Sequence, residues 1–178
     1  MIALQITSMK NFMTRLLASE VFDCFLLEEA VISTANTFTI DGRINREFFA
    51  GDSVEAAGTA LPAPGASRAG GAEEFRPWGE LRGLCFDLIK GKRTPLSFRF
   101  VLHLMPEKAS ALLTGESCDA DPAQIKALVL NIRYDGAKTV LTTGVSLHAF
   151  LLSKEPDAIW DKALMKYLDS RGIEYEIL

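Results

Sequence analysis

Between Trp78 and Met105 the hydrophobic pattern switches from a helical period to a strand period, and this switch is the clearest local signal in the chain. Trp78, Leu81, Leu84, Cys85, Leu88 and Ile89 recur three and four residues apart, which gathers them on one helical face. Pro77 suits the first helical position, and Gly91 the position just past the end, where an αL cap is expected. Pro95 forbids continuation of the helix. Beyond it Leu96, Phe98, Phe100, Leu102 and Leu104 alternate with Ser97, Arg99, Val101 and His103, the period of two that marks a half-buried strand.

The same two periods organise the rest. Ile2, Leu4 and Ile6 predict a short opening strand; Ser8 then caps a helix whose apolar stripe is Met9, Phe12, Met13, Leu16 and Leu17. From Phe25 to Ile44 β-branched and aromatic residues predict two strands. Ala35 with Asn36 and Asp41 with Gly42 are both credible corners between them, the second being the stronger hairpin signal. Glu28 and Glu29, adjacent on a strand, are expected to point to opposite faces and so not to cooperate. Pro106 to Thr114 predicts a short helix. Ala127–Tyr134 and Thr139–Leu147 predict strands joined through Asp135 and Gly136, with Leu128, Leu130, Ile132 and Tyr134 on one face and Asn131 and Arg133 on the other. A last helix opens at Pro156, carries Ile159, Trp160, Ala163, Leu164, Tyr167 and Leu168 inward and closes at Gly172. Ile173 to Leu178 resumes alternation.

Two stretches break the periodicity. Gly51 to Glu74 is dominated by Gly, Ala, Pro and Ser; such a stretch buries too little apolar area to offset its ordering entropy, so a flexible surface insertion over 51–74 is predicted. Glu116 to Pro122 is an acidic connection in which Asp119 and Asp121 lack the further oxygen ligands and terminal Glu of a calcium loop. The whole predicts one α+β domain over 1–178, a largely antiparallel sheet packed against three longer helices. Strand, helix, strand, strand over 2–44 recurs over 96–147, the topology of a duplicated βαββ unit, without a residue-level match between the halves.

Composition narrows the function classes. A chain of 178 residues suffices for a self-contained core. Three cysteines without a Cys-x-x-Cys pair indicate neither a disulfide framework nor a zinc site, and no metal or cofactor is expected. The first apolar run is too short for a signal peptide and no stretch approaches the ~20 apolar residues of a membrane span, so a cytoplasmic protein without membrane association is expected. A net charge of −4 argues against a general nucleic-acid coat but leaves room for a local basic patch.

Asn36 to Gly42, the run Leu88, Ile89, Lys90, Gly91, Lys92, Arg93, Thr94, Pro95 and Leu96, and Thr142, Thr143 and Gly144 resemble an uncharacterised bacterial family of similarly short proteins, which implies no activity that can be carried over. The strand, helix, strand, strand order is similar to one repeat of DNA sliding clamps in architecture alone.

Chemistry concentrates at one point. His103 and His148 belong to no metal or nucleophile motif, and Ser146 with His148 lacks the context of a hydrolase. Lys90, Lys92 and Arg93 surround Gly91, and with Arg99, or Arg82, could grip a phosphate or carboxylate. The structural alternative is that they complement a helix dipole, for ~0.3 to 1 kcal/mol, around an αL glycine. The leading expectation is a non-catalytic binding or regulatory module with a protein partner or self-association, nucleic acid being the weaker option. The competing expectation is an enzyme or binder acting on a small phosphorylated or acidic ligand through residues 90–93.

Overall fold

The computed structural model describes residues 1–49, 74–116, 124–148 and 153–178. The insertion read over 51–74 therefore lies outside the described residues except for Glu74, as do Cys118, Asp119 and Asp121. The chain runs β1 (Ala3–Ile6), α1 (Met9–Leu17), a 3₁₀ turn (Glu20–Phe22), β2 (Phe25–Ser33), β3 (Thr37–Asp41), α2 (Arg46–Phe49), β4 (Arg76–Pro77), α3 (Trp78–Ile89), β5 (Ser97–Leu104), α4 (Pro106–Gly115), β6 (Ile125–Tyr134), β7 (Thr139–Leu147), α5 (Glu155–Ser170) and β8 (Tyr175–Ile177). It is an α+β fold. The strands form one sheet in the order β3-β2-β5-β6-β7-β1-β8, with β4 also pairing β2, and every pairing is antiparallel.

Strand alternation decides which face is buried. Phe98, Phe100 and Leu102 of β5 stand in register with Ile32, Ala30 and Leu27 of β2 and with Tyr134, Ile132 and Leu130 of β6, and all are buried. Against this face pack Phe12 and Leu16 of α1, Trp78 and Cys85 of α3, Ala109 of α4, and Trp160, Leu164 and Leu168 of α5, in one continuous core. Each fully buried Leu contributes about 1.5–3 kcal/mol through its removal from water. Aromatic rings tie the layers together: the ring centres of Trp78 and Phe100 are 5.2 Å apart, and those of Phe25 and Trp160 6.3 Å. The other face carries Glu29, Val31, Arg99, Val101, Asn131, Arg133 and Thr142, half-buried or exposed.

Several expectations need correction. The β2–β3 hairpin turns at residues 34–36, so Asp41 and Gly42 are not its corner. Gly91 is not an αL cap: α3 ends at Ile89, Lys90 turns extended (φ −62°, ψ 137°), and the positive-φ glycines among the described residues are Gly136 and Gly172. Leu84 does not join the core but is 49% exposed, because the sheet contact of α3 is narrower than its apolar stripe. Pro77 precedes α3 as its N-cap and pairs with Leu26 in β4. The two βαββ runs are also placed differently: β5 adjoins β6, whereas β1 is separated from β2 by β5, β6 and β7.

The irregularity with the largest consequence is a bulge in β2. Leu27 pairs with Leu102 while Glu29 pairs with Val101, so Glu28 is the extra residue. Period-two alternation fails there. Glu28 reaches His103 at 2.6 Å and Glu29 reaches Arg99, and these partners, four apart on one strand, share a face. The adjacent carboxylates that were expected to point apart therefore both serve the face away from the helices.

Candidate functional site

The loop from Lys90 to Leu96 is held between two hairpin turns at one end of the sheet. The Leu96 N–H donates to the Ser33 carbonyl at 2.8 Å, which ties the loop to the end of β2. The Leu96 carbonyl lies against Gly136, where a Cβ would approach it to 3.0 Å and where φ is +95°. Glycine is thus needed there both for the turn and for the contact. In the same turn the Asp135 carboxylate accepts from the backbone N–H groups of Lys138 (2.9 Å) and Ala137 (3.0 Å), and these bonds hold it below the usual carboxylate range.

Beside this turn, Arg99 and Arg133 are directly opposed across β5 and β6. With Val31, Ser97 and Asp135 they line a shallow depression of about 350 Å³. Like charges facing each other across a ladder are unfavourable unless an anion intervenes. Glu29 supplies one for Arg99, whereas Arg133 has no ion pair with a described residue. Arg133 was legible only as a polar-face residue of β6; its opposition to Arg99 depends on strand order, which periodicity does not encode.

The structure divides the anticipated cations. Lys90 is engaged, its Nζ 2.6 Å from Asp87 and 5.8 Å from the centre of the Phe86 ring. Lys92 and Arg93 are exposed, as is Lys138 across the loop, and none of the three is ion-paired to a described residue. Leu96, in the same loop, is 69% exposed. Arg82 takes no part: it donates to Asp23 at 2.9 Å and to the Leu17 carbonyl at 3.4 Å on the helical side. Arg82→Ala should consequently lower stability by about 1–2 kcal/mol, a loss of charge-assisted bonds between partly buried groups. Urea denaturation checks this, and an unchanged midpoint would make the pair superficial.

His103 is 9% exposed, bonded to Glu28 and packed against the Phe75 ring in a T-shaped pair with ring centres 5.0 Å apart. Arg43 in turn lies 5.6 Å from the Phe75 ring centre. The imidazole is thus satisfied against a ring, four residues along β5 from Arg99 and outside the depression. His148 is exposed just beyond β7.

A family model described as a family of unknown function, DUF5721, matches residues 15–176. The chain belongs to DUF5721. The DUF5721 match takes in the 90–96 loop, both hairpin turns and the opposed arginines. No curated protein and no solved structure matches the chain. No helix among the described residues of this DUF5721 member is long and apolar enough to cross a membrane.

Proposed function

We propose that this chain is a non-catalytic binding module of the cytoplasm whose cationic sheet end docks an acidic segment of a protein partner. The observation that carries this reading is that Lys92, Arg93, Arg133 and Lys138, all exposed and without an ion pair to a described residue, stand on the 90–96 loop, the end of β6 and the β6–β7 turn, segments that meet where the Leu96 carbonyl lies against Gly136. Lys90 and Arg99 extend the same surface with charges already shared with Asp87 and Glu29. The interleaved carboxylates Glu29, Asp87 and Asp135 would repel a continuous phosphate backbone, whereas a peptide can space its own carboxylates between them. The exposed Leu96 offers an apolar anchor, and interfaces combine such a centre with a charged rim. The His103–Glu28 pair, the natural start for an enzyme reading, lies on the same face but outside the depression, with the imidazole buried against Phe75.

Fluorescence anisotropy with an acidic, leucine-containing peptide and with a single-stranded oligonucleotide tests the proposal. The parent protein should bind the peptide at low salt and release it as salt rises past the screening range. Lys92→Gln with Arg93→Gln should abolish the binding while stability stays within about 0.5 kcal/mol, as expected of exposed positions. Tighter binding of the oligonucleotide would replace the protein partner with nucleic acid, and no binding of either at low salt would refute the site.

A further inference from the structure

On the helical side of the sheet, away from the cationic end, a cavity of about 500 Å³ opens between the 3₁₀ turn, α4 and α5. Ligand sites for small organic molecules have volumes of about 300–1,000 Å³ and are mainly apolar with a few convergent polar groups. Phe25, Leu104, Leu112, Trp160 and Leu164 supply the apolar wall here. Tyr167 and Cys24 supply the polar atoms: the Tyr167 hydroxyl donates to the Val21 carbonyl, and the Cys24 sulfur lies 3.7 Å from that hydroxyl. The phenol proton is thereby committed to the backbone.

The mouth is charged. Lys108 and Arg171 line it, the guanidinium 5.2 Å over the centre of the Tyr167 ring, and neither has an ion pair with a described residue. Of the two carboxylates that line it, Asp23 is bonded to Arg82 at 2.9 Å, which leaves Glu20. Two cations against one uncommitted carboxylate leave a single net positive charge at the entrance to an apolar space. Burial lifts the Cys24 thiol above its ordinary range, opposed first by the Tyr167 hydrogen bond and then by the nearby charges of Lys108 and Arg171.

We propose that this cavity binds a small carboxylic acid with an apolar body, the body against Phe25, Trp160 and Leu164 and the carboxylate between Lys108 and Arg171. A single head-group charge matches the net charge of the mouth, where a doubly charged phosphate would meet Glu20. The site is independent of the cationic sheet end, and variants at either place leave the other intact.

Isothermal titration with octanoate and decanoate, against octanol and decanol, tests the assignment on the whole chain. The acids should bind more tightly than their alcohols. Lys108→Gln with Arg171→Gln should weaken octanoate about tenfold, the loss of charge-assisted bonds, and leave octanol unchanged. Ala163→Phe, which fills the cavity from α5, should abolish binding of both. Octanoate should also slow alkylation of Cys24 by iodoacetamide, read on the Cys24 peptide by mass spectrometry, and this decides the matter if Ala163→Phe does not fold. The proposal is overturned if acid and alcohol bind equally, if neither binds, if octanoate still binds folded Ala163→Phe, or if Cys24 is not protected.

Discussion

Trp78→Ala should destabilise the protein by about 3–5 kcal/mol, much of the 5–15 kcal/mol available to an ordinary domain. Two losses combine. The indole is fully buried with its ring centre 5.2 Å from that of Phe100, so alanine leaves a cavity between α3 and the sheet. Its Nε1–H also donates to the Leu16 carbonyl at 3.0 Å. Leu16 lies in the last turn of α1, where helix carbonyls lack intrahelical donors, so the indole caps one helix from the start of another. Trp78→Phe separates the terms: it keeps most of the ring and strands the carbonyl, at about 1–3 kcal/mol. Urea denaturation of both variants measures the split, and an alanine variant with the parent's midpoint would mean that α3 lies outside the cooperative core.

Gly42→Ala should cost about 3 kcal/mol, at the upper end of ordinary overpacking. A Cβ at Gly42 would stand 1.8 Å from the Leu27 carbonyl oxygen and 2.7 Å from its carbon, and these are backbone atoms of β2, an interior strand paired on both sides, which cannot rotate away. The glycine is also pinned, donating to the Glu28 carbonyl at 2.9 Å and accepting from the Arg76 N–H at 2.8 Å. Gly83→Ala is the contrast, since nothing lies within 4 Å of a Cβ there and the position is an exposed helix interior. That change should stabilise by about 0.5–1 kcal/mol. If thermal unfolding places the two variants together, the approach of Gly42 to the bulge relaxes freely and the interlock has no energetic weight.

Gly42 also shows where reading the sequence stops. Asp-Gly predicts a hairpin because glycine accepts positive φ, and at Asp135-Gly136 that logic holds. At Gly42 the glycine answers a different need, close approach to a strand still to be placed, and the two uses look identical in sequence. Helices and strands were legible because Phe98, Phe100 and Leu102, or Trp160, Leu164 and Leu168, repeat the period of their element. The bulge at Glu28 was not, since one extra residue inverts the facing of a carboxylate without altering composition. Of the basic turn, Lys92 and Arg93 were legible as cations, but the engagement of Lys90 by Asp87 and the opposition of Arg99 to Arg133 were not. Nor was the cavity, whose wall joins Cys24 to Tyr167 across the length of the chain.

The position of β1 governs the order in which the molecule can be completed. Leu4 is buried and pairs with Leu141 on one side and Ile177 on the other, so β1 finds its neighbours only after β7 and β8 have been made. Contacts so distant in sequence slow folding, because the intervening chain must be closed before they form. The β5-β6-β7 meander, whose neighbours are consecutive, can assemble during synthesis, while Leu4 and Ile6 wait without a sheet to cover them. Closure of the sheet around β1 is therefore the step at which a nascent chain is most exposed to association with its own copies.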